Sequence, residues 1–134
     1  MNIKQPVGIL IVEDAILTAR AIESALKNFG YEIVGFARSG QEAIETATRA
    51  RPDVVLMDIQ LEGLMDGVSA THRIQTILDI PVIYLTASSD PGTIRRALHS
   101  SPYGYITKPF KEQDLHDAIE NALARKKVKK EINR

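Results

Sequence analysis

An α/β architecture, a parallel sheet doubly wound by helices on both faces, is what this chain of 134 residues predicts. Strand-like and helix-like segments alternate five times, and the apolar runs recur about every 20 to 30 residues, the length of a βαβ unit. The runs at 9–12, 54–57 and 82–85 are apolar at every position, as strands buried on both faces require.

The first strand is Gly8 to Val12, and after Asp14 the residues Ala19, Ile22, Leu26 and Phe29 recur at helical spacing. Gly30 stands where a C-terminal cap belongs. Tyr31 to Ala37 contains Glu32 and Gly35, which suits an edge strand. Ser39 followed by Glu42 has the form of a capping box, opening a second helix with Ala43, Ala47 and Ala50 as its inner face and Pro52 at its end. The third strand is Val54 to Met57. Ala70, Ile74 and Ile77 mark a third helix that must stop before Pro81. After the strand Val82 to Leu85, Asp90 and Pro91 supply an N-cap and a first-turn proline, with Ile94 and Leu98 one turn apart beyond them. Tyr105 and Ile106 form a fifth short run. A last helix after Pro109 turns Leu115, Ile119 and Ala122 inward, and its apolar stripe fades after Leu123.

With 44% hydrophobic residues the chain has the size of one ordinary domain, able to bury about two thirds of its unfolded surface around one core. Cysteine and tryptophan are absent, which excludes a disulfide framework and a cysteine-based zinc site and fits a cytoplasmic setting. The longest aliphatic stretch falls far short of the roughly 18 residues of a membrane span, and Glu13-Asp14 arrive before a signal-peptide core could form. No export or membrane segment is expected. The formal charge is zero, but residues 125–134 carry +5 and residues 1–124 carry −5. The expected boundaries are one domain over 1–124 and a basic tail, or the start of a connector helix, over 125–134. That tail has no aromatic residue for base stacking, so a nucleic-acid partner is not expected.

Four chemically loaded positions each follow an apolar run: Glu13-Asp14, Asp58, Thr86 and Lys108. Parallel strands share a C-terminal side, so all four would meet on one sheet edge. Each has an ordinary reading alone: an acidic first turn for Glu13-Asp14, a turn former for Asp58, a strand-end hydroxyl for Thr86 and a surface lysine for Lys108. Together they suit a divalent cation and a phosphoryl group. Two carboxylates about 4 Å apart repel by ~4 kcal/mol at an effective dielectric near 20, and Mg²⁺, which prefers hard oxygen ligands and phosphate, relieves that. Pro109 restricts the backbone after Lys108 and admits a cis bond.

The ordered motifs Val12-Glu-Asp14, Leu56-Met-Asp58, Asp66-Gly67, Leu85-Thr-Ala87 and Lys108-Pro-Phe110 give the chain its resemblance, over about residues 6–124, to response-regulator receiver domains, the phosphoacceptor modules of two-component signalling. The resemblance implies a flavodoxin-like sheet in the order 2-1-3-4-5 with five helices. It implies that Asp58 accepts the phosphoryl group, that Glu13, Asp14, Asp58 and the carbonyl of Gln60 hold Mg²⁺, and that Lys108 contacts the phosphoryl oxygens. It also implies that Thr86 and Tyr105 switch the surface of the fourth helix, fifth strand and fifth helix, where Arg95, Arg96, Tyr103 and Gln113 are placed and where self-association is open. The expected partner is a sensor histidine kinase or a phosphotransfer protein. The chain would be a switch assisting its own phosphorylation and dephosphorylation, not an enzyme acting on others.

Two departures from the family pattern stand out. Asp58 to Gly67 spans nine steps, one more than is usual, with Glu62 where a proline commonly lies, and Glu13 replaces the commoner Asp. Gln60 and Ser88 are expected to govern hydrolysis by positioning water, and His72 reads as a plain helical histidine. The rival is a Mg²⁺-dependent aspartyl phosphatase, which would want a second carboxylate two residues after the nucleophile, where Gln60 stands. A flavin-nucleotide binder would lack its phosphate cradle at the acidic first turn. The charged tail resembles connectors between receivers and other modules, so a piece of a longer protein is expected over a stand-alone domain.

Overall fold

The computed structural model describes residues 5–87 and 90–132. Ten elements alternate along the chain: β1 (Gly8–Val12), α1 (Ile16–Asn28), β2 (Glu32–Ala37), α2 (Gly40–Ala50), β3 (Val54–Asp58), α3 (Gly67–Ile77), β4 (Val82–Thr86), α4 (Pro91–His99), β5 (Gly104–Thr107) and α5 (Glu112–Ile132). All neighbouring strands pair in parallel, in the order β2-β1-β3-β4-β5. The fold is the doubly wound, flavodoxin-like arrangement expected above.

Alternation along the strands sorts the core into two layers. Ile9, Ile11, Val54, Leu56, Ile83 and Leu85 face α1 and α5, where they meet Ile22, Leu26, Leu115 and Ile119. Leu10, Val12, Val55, Met57, Val82 and Tyr84 face the other way, against Ala43 and Ala47 of α2 and Val68, Ala70 and Ile74 of α3. Every residue of β1, β3 and β4 is buried, whereas β2 at the edge is half open to solvent. Each aliphatic side chain so buried contributes about 1.5–3 kcal/mol.

Helix ends follow their local chemistry. Ser39 caps α2 by accepting from the Glu42 N–H at 3.1 Å, Asp66 caps α3 through the Ser69 N–H, and Asp90 caps α4 through the Thr93 N–H with Pro91 in the first turn. Gly30, at φ 89°, follows the α1 C-cap Phe29.

One inner-face assignment is corrected, and two further helices bury fewer apolar positions than their spacing suggests. On α2 the buried positions are Gly40, Ala43, Thr46 and Ala47, and Ala50, the last residue of the helix, is only half-buried. On α3, Val68 and Thr71 fill the inner face, while Ile77 is 56% exposed. On α4 only Ala97 is buried, and Leu98 is 60% exposed.

At the far end, α5 continues without a break through residues 125–132. Arg125 donates to the Tyr103 carbonyl at 3.0 Å and lies 5.3 Å above the Tyr103 ring, and Lys126 donates to the Asp79 carbonyl. Tyr31, just before β2, ties α5 down as well, its hydroxyl donating to Glu120 at 2.6 Å beside His116, which stacks on Phe29.

The tightest backbone approach lies at the start of α3. A Cβ on Gly67 would sit 2.2 Å from the Asp58 carbonyl oxygen, backbone that cannot swing aside. Gly67→Ala is therefore expected to lower stability by about 3 kcal/mol, read from the urea midpoint at constant slope.

Candidate functional site

The C-terminal ends of β1, β3, β4 and β5 place the four loaded positions together. Asp58 ends β3 and is 5% exposed, and Glu13, the residue after β1, is 4% exposed, its backbone N–H donating to Ala37 at 2.9 Å. Burying two carboxylates requires compensation. Lys108 supplies it from the end of β5: its Nζ donates to Asp58 Oδ2 at 3.1 Å and to Glu13 Oε1 at 3.3 Å. The Lys108 backbone N–H is fixed in turn to the Thr86 carbonyl at 2.8 Å, and the bond to Pro109 is cis. The second Asp58 oxygen, Oδ1, accepts from the Gln60 N–H at 2.9 Å.

Asp14 is half-buried beside this pair, and one carboxylate oxygen from each of Glu13, Asp14 and Asp58 lies within 4.8 Å of the others. Crowding shows in the protonation of Glu13. Burial above all, then the hydrogen bond and charge of Asp58, push its carboxyl from 4.5 up to about 8, with Lys108 only partly opposing. For Lys108, burial pulls the ammonium down, but Asp58 and then Glu13 outweigh it, so its affinity for its proton rises.

Thr86 is fully buried at the end of β4, and Tyr105 is half-buried on β5, in register with Tyr84. The Gln60 residue is exposed at the mouth. Ser88 lies outside the described residues. His72 is exposed on α3 and belongs to no metal-like cluster among the described residues. Of the residues placed on the output surface, Arg95 is exposed, Gln113 bonds Asp117 at 2.8 Å and Tyr103 lies under Arg125. Arg96 does something else: it forms a two-pronged pair with Asp66, at 2.8 and 3.3 Å.

The longer loop between β3 and α3 leans toward α2. Glu62 makes a bridge with Ser39, and Met65 packs so closely on Gly40 that a Cβ there would meet its Cγ at 2.9 Å. Gly63 makes the turn at φ 93°. Beside the site, a groove of about 250 Å³ is lined by Glu13, Ile16, Ala19, Arg20, Phe36 and Arg38. Sequence reasoning did not find this groove or a buried Tyr84 hydroxyl bonded to Ser100 at 2.5 Å. The tyrosine sits within an otherwise aliphatic run, and only the fold brings Ser100 to it.

Comparison with known proteins agrees with this geometry. The chain is 39% identical over 120 residues to the transcriptional regulatory protein PdtaR of Mycobacterium tuberculosis, covering 90% of this chain and 58% of that protein. It thus spans little more than half the length of this relative. Among solved structures, the receiver domain of a modulated diguanylate cyclase from Desulfovibrio desulfuricans G20 superposes with a TM-score of 0.89 at 38% identity, covering 93% of this chain and 99% of that one. The receiver domain of the sensor histidine kinase PA1611 from Pseudomonas aeruginosa PAO1, solved with a magnesium ion coordinated in its active-site cleft, superposes at 0.81 with 32% identity, covering 90% and 99%. Among the described residues no helix is long and apolar enough to cross a membrane. Residues 9–120 match the family model of the response regulator receiver domain, and the chain belongs to that family of two-component signalling switches.

Proposed function

We propose that Asp58 accepts a phosphoryl group from a phosphohistidine on a sensor histidine kinase or phosphotransfer protein, in a reaction that requires Mg²⁺. The observation that carries this reading is the Lys108 ammonium held between two buried carboxylates, 3.1 Å from Asp58. An Asp58 oxygen attacks phosphorus in line, the phosphorus–nitrogen bond to the donor imidazole breaks, and the electron pair stays on that nitrogen, which takes a proton. Asp58 then carries an acyl phosphate. Its new oxygens enter the reach of Lys108, whose charge stabilises them. The exposed Ile16 and Leu17 of α1, beside the apolar groove, offer the donor a surface next to the acceptor.

The donor set fits Mg²⁺: three carboxylates within reach of one ion and too few positive charges to balance them. Glu13, Asp14, Asp58 and the Gln60 carbonyl would hold it, and when bound it supplies a second positive charge to the phosphoryl oxygens. Thr86 and Tyr105 then couple the acyl phosphate to α4, β5 and α5 as a shift between two packings.

Incubation with acetyl phosphate and Mg²⁺ tests the reaction. The expected product is an acyl phosphate on Asp58, lost in Asp58→Asn and reduced at least about tenfold in rate in Lys108→Ala. Turnover of phosphomonoesters without self-labelling would instead identify an aspartyl phosphatase.

A second prediction comes from Glu13. Between 4.5 and about 8 the folded chain keeps a proton that the unfolded chain has released, so stability falls as pH rises through that window. In chelator, the melting temperature is expected to be lower near pH 8 than near pH 5, and Mg²⁺ to raise it more at the higher pH. Glu13→Gln should flatten both trends, read by thermal melts of wild type and variant in parallel.

A further inference from the structure

α4 is the helix least committed to the core. Ala97 is its one buried residue, Leu98 points to solvent, and the helix is nine residues long. Burial of a single methyl group contributes little, so polar contacts must hold α4 in place. Two such contacts reach other elements among the described residues. At the C-cap, the Ser100 hydroxyl meets the Tyr84 hydroxyl at 2.5 Å in full burial. Midway along, Arg96 Nη1 donates to Asp66 Oδ2 at 2.8 Å and Nη2 to Oδ1 at 3.3 Å.

The far side of the second contact is anchored. Asp66 caps α3 through the Ser69 N–H at 2.9 Å, and the next residue, Gly67, donates to the Ile59 carbonyl at 2.8 Å while pressed against the Asp58 carbonyl. Asp66 is therefore a post fixed to the end of the strand that carries Asp58. Arg96 ties a loosely packed helix to that post.

We propose that the Asp66–Arg96 ion pair is a latch that holds α4 in its unphosphorylated position, which makes Arg96 a positioning residue for the switch. This rests on Asp58 being the phosphoryl acceptor. An interaction made in one of two states opposes the other by its own free energy, so breaking it eases the transition. The side chains are 52% and 34% exposed, and water screens the pair. The effect is accordingly modest, about three- to fivefold.

The test is titration of the full chain with beryllofluoride and Mg²⁺, a mimic of the acyl phosphate, in wild type, Arg96→Gln and Asp66→Asn. Asn preserves the α3 cap. Both variants are expected to bind the mimic about three- to fivefold more tightly, the double variant no more tightly than either, and the free variants to show faster amide exchange in α4. The two substitutions change local charge in opposite senses, so a shared tightening cannot come from long-range electrostatics. Arg49→Gln, on the exposed side of α2, should match wild type. Equal or weaker binding by Arg96→Gln, with wild type binding normally, overturns the latch alone. Failure of wild type to bind the mimic overturns the phosphoacceptor reading itself.

Discussion

Two carboxylates at the end of a sheet, removed from water and sharing one ammonium, set the terms for everything around them. Glu13 and Asp58 are separated by 45 positions in sequence and Lys108 lies 50 beyond Asp58, yet Nζ stands within 3.3 Å of both. Only strands that run side by side in one direction and end together can accomplish this. The three central strands are wholly apolar inside, so the cost of the charges is confined to their last residues and the following loops. Lys108 only partly offsets the burial and the neighbouring Asp58 that together push the Glu13 carboxyl up.

The two faces of the sheet are built to different standards. On one, α1 and α5 bury long aliphatic side chains, and Tyr31, His116, Glu120 and Phe29 lock the helices to the start of β2. On the other, α2 packs through Ala43 and Ala47, α3 through Val68, Ala70 and Ile74, and α4 buries only Ala97. A segment with few apolar contacts opens at low cost. The basic charges at 125 and 126 belong to the first face: they fasten α5 to carbonyls preceding β4 and β5.

Much of this was legible in the chain before folding was considered. The uninterrupted apolar runs announced central strands, Ser39, Asp90 and Pro91 announced helix starts, and the position of Asp58 and Lys108 after such runs announced a shared edge. What escaped was whatever depends on how far an element lies from its neighbour. Ile77 and Leu98 fit a helical stripe, yet both side chains are exposed in the fold. Thr46 looks polar in sequence and is buried in the fold. The Asp66–Arg96 pair joins residues 30 apart through a crossing that neither local pattern encodes.

The distribution of aromatic side chains has a practical corollary. The chain has four tyrosines and no tryptophan. Tyr84 and Tyr105 are cross-strand neighbours and Tyr103 lies in the turn that joins α4 to β5, whereas Tyr31 stands just before β2, at the other edge of the sheet. Near-ultraviolet absorption and circular dichroism are consequently weighted three to one toward the β4–β5 side of the sheet. The protein carries its own spectroscopic reporter, and a foreign fluorophore is unnecessary.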